Sequence, residues 1–248
     1  MSIIERTNPL NLQYKVCVVT NASTPLGVVI CKTLLKANAL VLGIDKNARD
    51  HSLNAGLGTH FQFEQRDLND QDTAKEIIAA SVKKFDSLGG KFDALVNLVG
   101  EDETDLDGIS NLTQGLGDVM KEAGQGSIIT VPGNVEGSDE GRSQALTGFT
   151  KEIAHRFQGT AIRTNMIAAE NIEASNPESQ DSAKPYEEAK SHMTALIKTE
   201  RSAKDAPDAK VPPPRFYEVG NLVLFLAGPM SENISGQAVS LDGSHREL

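Results

Sequence analysis

Short apolar runs alternate with longer amphipathic ones along most of the chain, and that alternation predicts the elements. Lys15–Thr20, Ala39–Ile44, Phe61–Gln65, Phe92–Val99, Ser127–Val131, Ala161–Ile167 and Ala238–Leu241 read as short buried strands. Between them, Pro25–Ala37, Asp70–Phe85, Leu106–Ala123, Gly141–Phe157 and Phe216–Ala227 carry helical spacing. Ala22–Thr24 reads as a small-residue turn, and Pro25 suits a first helical position, where its missing N–H would be unpaired anyway. Gly108, Gly115 and Gly117 argue against the third helix on propensity alone. The alternation implies the α/β class: a doubly wound parallel sheet of about seven strands, helices on both faces, in a single domain over 1–248. Such sheets take ligands at the carboxyl ends of their strands, where the strand order reverses.

One segment breaks the alternation. Ala174–Arg215 is polar, rich in Ser, Lys, Glu and Ala, and closes on Val211-Pro-Pro-Pro214. A helix over Lys184–Lys198 fits within it. It is either a solvated surface excursion or a lid over the cleft, since long insertions in compact domains are often binding loops.

Charge narrows the ligand. The 248 residues carry 24 Lys and Arg against 34 Asp and Glu, a net charge of −10. Phosphate backbones need clustered cations, and no basic run exceeds two residues, so nucleic acid is excluded as a partner. No Trp and only three Tyr remove a base-stacking platform. No apolar stretch approaches the roughly 18 residues that span a bilayer, and Met1–Leu12 lacks the apolar core of a secretory signal. Cys17 and Cys31 sit in apolar runs and read as reduced core residues, which places the expected protein in the cytoplasm. What remains is a binder of something small, or of another protein.

Val18–Gly27, Asp45, Asp67-Leu68, Val96–Gly100 and Ser235–Gly243 together carry a resemblance to a family, the short-chain dehydrogenases/reductases, over Lys15 to Ser244. Val18-Val-Thr-Asn-Ala-Ser-Thr-Pro-Leu-Gly27 is similar to the family's V-T-G-x-x-x-G-x-G turn. Asp45 ends the second strand, Asp67-Leu68 resembles the adenine-pocket pair, and Val96-Asn-Leu-Val-Gly100 resembles N-N-A-G. Gly148-Phe-Thr-Lys151, Ile162-Arg-Thr-Asn165 and Ser235-Gly-Gln-Ala-Val-Ser-Leu-Asp-Gly243 match further strings. The resemblance implies a Rossmann-like fold and, for the cofactor, Asn21, Leu26, Gly27, Asp45, Asp67, Leu68, Asn97 and Gly100 as contacts. It implies NAD(H) or NADP(H), with NAD favoured because an Asp at position 45 suits a free ribose hydroxyl. It also implies a homo-oligomer, dimer or tetramer.

The family transfers hydride between NAD(P) and an alcohol or ketone, using Asn, Ser, Tyr and Lys. Tyr and Lys lie four apart on one helix face, and Lys lowers the phenol's pKa from its ordinary ~10. Each of these positions differs here. Alignment puts Asp139 at the Tyr position, Ser143 at the Lys position, Pro132-Gly133 at Ser-Ser and Asp105 at Asn. No Tyr occurs between Tyr14 and Tyr186, and the Tyr186–Lys190 pair falls in the polar excursion. Asn21 and Pro25 replace the first two glycines of the turn; Asn tolerates left-handed backbone, and Pro removes an N–H. Ala169-Glu170 replaces Pro-Gly, and Ala174 stands where a Thr often holds phosphate. Glu170 would set a carboxylate against the phosphates. The adenosine half thus looks intact and the nicotinamide half eroded.

Asp139, Asp105, Ser143 and Glu170 are therefore the candidate catalytic residues. An ordinary carboxylate, with a pKa near ~3.9, is an anion that accepts a proton but does not donate one. That suits isomerisation, elimination or ring closure; burial would raise the pKa and make Asp139 an acid instead, and the further alternative is that Asp139 is a helix cap or surface carboxylate. The acidic run Glu101–Asp107 lacks metal-loop spacing and the five His show none, so no metal is expected. Three functions stay open. One is a repurposed enzyme doing non-redox cyclisation or isomerisation on a small-molecule biosynthetic intermediate. Another is an NAD(P)(H)-dependent oxidoreductase with a non-standard catalytic set. The third is an inactive subunit partnering an active relative.

Overall fold

The structure, a computed structural model, describes residues 10–50, 60–69, 73–84, 91–100, 105–133, 140–169, 172 and 215–241. The expected excursion 174–215 lies outside them, Arg215 excepted. Strands β1 (Val16–Thr20), β2 (Leu40–Asp45), β3 (Phe61–Gln65), β4 (Ala94–Val99), β5 (Gly126–Pro132), β6 (Ile162–Ala168) and β7 (Ala238–Ser240) form one sheet. Its order is β3-β2-β1-β4-β5-β6-β7, and every neighbouring pair is parallel. The helices are α1 (Pro25–Lys36), α2 (Thr73–Lys84), α3 (Asp105–Ala123), α4 (Glu140–Arg156) and α5 (Phe216–Ala227). Each predicted strand and helix among the described residues is present, with ends shifted by at most two residues where both ends are described.

The continuous apolar runs follow from burial on two faces. Along β1, Cys17 and Val19 pack with Ile30 and Leu34 of α1 and with Val219 and Val223 of α5. Val16 and Val18 point the other way, into a cluster with Ile77 of α2, Leu112 and Leu116 of α3 and Ile153 of α4. Cys17 and Cys31 are free thiols with no exposure. Burial, reinforced by Asp93, pushes the Cys17 thiol up to about 12, and burial raises Cys31 as well.

Two α3 glycines owe their place to packing rather than to propensity. A Cβ at Gly108 would overlap the Leu68 carbonyl, and one at Gly117 would enter the Phe157 ring. The helix forms because its tertiary contacts outweigh roughly 1 kcal/mol of glycine penalty at each position.

The strings Ile162–Asn165 and Ser235–Gln237 are stitching. Asn165 Nδ2 donates to the Ile234 carbonyl at 2.8 Å, and its Oδ1 accepts Gln237 N–H at 3.1 Å. Arg163 Nη1 donates to Leu226 O at 2.9 Å and Ser231 Oγ at 2.7 Å, and Nη2 to Gly228 O at 3.3 Å. Arg163 thus satisfies the last carbonyls of α5, which the helix itself leaves unpaired. Arg163→Met is expected to cost about 2 kcal/mol, since charged donors to carbonyls contribute more than neutral ones. Urea unfolding measures this; an unmoved midpoint with unchanged slope contradicts it.

Candidate functional site

The strand order reverses between β1 and β4, the carboxyl-end crevice where such sheets bind ligands. Thr20, at the end of β1, clamps the two strands there. Its Oγ1 accepts Leu98 N–H at 3.0 Å and donates to Leu98 O at 3.2 Å. Asn21 follows with φ 49°, and its Nδ2 donates to the same carbonyl at 2.8 Å. Asn serves here because it accepts left-handed backbone and carries a donor across to β4.

The turn then closes on itself. Thr24 caps α1: its Oγ1 accepts Gly27 N–H at 3.1 Å and donates to Asn21 O at 2.7 Å, while its carbonyl accepts Val28 N–H at 2.8 Å. Ala22 N–H goes to Ile44 O at 3.2 Å, Thr24 N–H to Asn21 O at 3.2 Å, and Ser23 N–H to Asp45 Oδ2 at 2.9 Å. Pro25 has no N–H. From Ala22 to Val28, Leu26 alone has an N–H without a partner among the described residues. Gly27 is required by contact: a Cβ would overlap Asn21 O and sit 2.9 Å from Ala22 Cα.

Asp45 ends β2 and is only 2% exposed. Its second oxygen accepts Asn47 N–H at 2.8 Å. Ser23 Oγ, on the residue whose N–H Asp45 holds, is buried with no partner. A pocket opens beside them, bounded by Asn21, Asp45, Lys46, Arg66, Asp67 and Leu68. Asp67 Oδ1 accepts Asn69 N–H at 3.0 Å, which fixes the carboxylate at the pocket wall. Arg66 pairs at the surface with Glu76 at 3.2 Å.

Four of the predicted contacts, Asn21, Asp45, Asp67 and Leu68, therefore share one pocket. Leu26 and Gly27 stand at the adjoining helix start. Asn97 is fully buried and turned to α3: its Nδ2 donates to Thr113 Oγ1 at 2.9 Å, and its Oδ1 has no partner. It does not line the pocket. Gly100 follows β4, beside Gly133 after β5. Ser143 lies in the first turn of α4, where its carbonyl accepts Thr147 Oγ1 at 2.8 Å. Asp105 opens α3, and its side chain lies outside the described atoms; Asp139 and Glu170 lie outside the described residues. Lys46, Arg66 and the Thr24 cap are additions to the predicted set. Thr24 was readable as Thr followed by Pro, a helix-start signature.

Among the described residues, no three His, Cys, Asp or Glu side chains form a group that could hold a metal, and no helix is long and apolar enough to cross a membrane.

A family model described as short chain dehydrogenase matches residues 15–105. The short chain dehydrogenase ausX of Penicillium brasilianum is 24% identical, covering 94% of this chain and 97% of its own length. The 3-oxoacyl-[acyl-carrier-protein] reductase of Thermotoga maritima is 27% identical, covering 94% of this chain and 98% of its own. Among solved structures, a short chain dehydrogenase from Leptospira borgpetersenii with bound NAD+ superposes with a TM-score of 0.67. It is 20% identical, over 98% of this chain and 95% of that one. An aldohexose dehydrogenase of Thermoplasma acidophilum gives a TM-score of 0.65 at 19% identity, over 94% of this chain and 96% of that one.

Proposed function

We propose that the chain, which matches a short chain dehydrogenase model over residues 15–105, is a member of the short-chain dehydrogenase/reductase family that keeps the nucleotide pocket at its adenosine end but acts without redox chemistry. Its substrate is a small-molecule biosynthetic intermediate, and its reaction is a cyclisation or isomerisation.

The residues at the adenosine end fit a nucleoside. Asp45 and Asp67 offer acceptors and Leu68 an apolar wall. A nicotinamide dinucleotide, when bound, supplies a hydride; Asp45, Asp67 and Leu68 would hold its adenosine.

The observation that supports the non-redox reading is the content of α4. The helix has no Tyr, and its only lysine, Lys151, is exposed in the fourth turn. Ser143 occupies the position expected of the lysine, and it carries no charge to lower a neighbour's pKa. A carbonyl being reduced must receive a proton, and an ionised carboxylate at position 139 has none to give. The same carboxylate can remove a proton. A shaped pocket holding a reactive conformer supplies the rest.

The intact ribose end favours a second reading, an oxidoreductase with a substitute catalytic set. Product mass separates the two. The protein is incubated with a metabolite extract and reduced or oxidised nicotinamide dinucleotide, and products are read by mass spectrometry. Isomers of unchanged mass, formed without the dinucleotide and slowed about a hundredfold by Asp139→Asn, are expected; general-base catalysis is typically worth that much or more. A product differing by two hydrogens, with the dinucleotide consumed, overturns the proposal.

A further inference from the structure

We infer that the ligand of this pocket is adenosine, recognised as a nucleoside, and that the turn beside it no longer holds a diphosphate. The inference rests on the nucleotide reading above and names its ligand. It follows from counting donors. A diphosphate running along the start of α1 needs N–H groups or cations there, because a phosphate oxygen stripped of water and left unpaired is costly. Of the backbone N–H groups from Ala22 to Val28, four are spent inside the protein: Ala22 on Ile44, Ser23 on Asp45, Thr24 on Asn21, and Val28 on Thr24. Gly27 spends its own on the Thr24 hydroxyl, and Pro25 has none. Leu26 N–H remains.

Side chains do not make up the loss. Residues 20–28 contain no Lys or Arg, and the net charge of −10 opposes anion approach. The cations that line the pocket, Lys46 and Arg66, follow Asp45 and precede Asp67 in the chain, and Arg66 already pairs with Glu76. The adenosine end, by contrast, has the acceptors of Asp45 and Asp67 in place. Affinity therefore comes from the nucleoside, and among the described residues the turn offers a phosphate on it one backbone donor.

The test is isothermal titration of the full chain with adenosine, AMP and NADH, alongside Pro25→Ala, which restores one N–H at the helix start. One hydrogen bond to a charged group is worth roughly tenfold in affinity. Adenosine and NADH are expected to bind within about tenfold of each other. Pro25→Ala should tighten NADH about tenfold and leave adenosine unchanged, the latter also reporting that the variant is folded. Wild-type NADH binding far tighter than that relative to adenosine overturns the inference and leaves the nucleotide reading standing. So does a Pro25→Ala variant whose NADH affinity does not move. Binding of none of the three overturns both.

Discussion

Gly27→Ala is expected to lower the thermal midpoint by roughly 10 °C and to abolish adenosine binding. The added Cβ has no room: it meets the Asn21 carbonyl oxygen and lies 2.9 Å from Ala22 Cα, both backbone atoms that no rotamer change can move. Overpacking against side chains costs about 1–3 kcal/mol, and here the backbone must give way instead. A cost near 3 kcal/mol corresponds to about 10 °C in a domain of this size. The damage is also local to the pocket. Asn21 is held left-handed by its bond to Leu98 O, and its carbonyl anchors Thr24. Displacing that carbonyl unseats the Thr24 cap and shifts Asn21 off the pocket wall. Calorimetry of both proteins, with adenosine titration below the lower midpoint, reads the two effects separately; an unshifted midpoint refutes the contact argument.

Asp45→Ala is expected to weaken adenosine by at least a hundredfold and to destabilise the fold by about 3 kcal/mol. The carboxylate is a brace as well as the adenosine contact proposed above. It accepts the N–H groups of Ser23 and Asn47, and it is 2% exposed. Removing it leaves two backbone donors without a protein acceptor, each costing about 1–3 kcal/mol when buried. Asp45→Asn separates the roles. One carbonyl oxygen still accepts one of the two N–H groups while the amide NH2 faces the other, so about half of the stability is expected to return, and affinity stays low because the charge and one acceptor are gone. Urea unfolding and adenosine titration on the three proteins check this. If Asp45→Asn binds like the wild type, the charge is not part of recognition.

How much of this was legible in the chain depends on the range of the interactions. The strands and helices were legible because burial on both faces writes apolar runs, and burial on one face writes helical spacing. Phe216–Ala227 falls on the predicted residues, since Arg215 caps its start through Glu218 and its end is a Gly-Pro step. Asn21 as a left-handed residue was legible from its side chain alone. Gly108 and Gly117 were read against the helix, because propensity counts their entropy and is blind to Leu68 and Phe157, which lie 40 residues away in sequence. Asp45 was read as a candidate ribose contact, and its hold on Ser23, a bond across 22 positions, was not legible. Asn97 sat in a motif that pointed to the cofactor, yet its partner is Thr113 on α3. Arg163 carried no local sign of capping a helix 63 residues downstream.

The buried thiols give the protein an internal clock. Cys17 and Cys31 sit on β1 and α1 with no exposure, and burial keeps their thiols protonated, so alkylating reagents have neither access nor a thiolate to attack. The chain has no tryptophan to report unfolding by fluorescence. Cysteine modification takes its place: each labelled molecule records an event in which the central strand and its covering helix came apart. The rate of labelling therefore counts openings of the core itself, without any engineered probe.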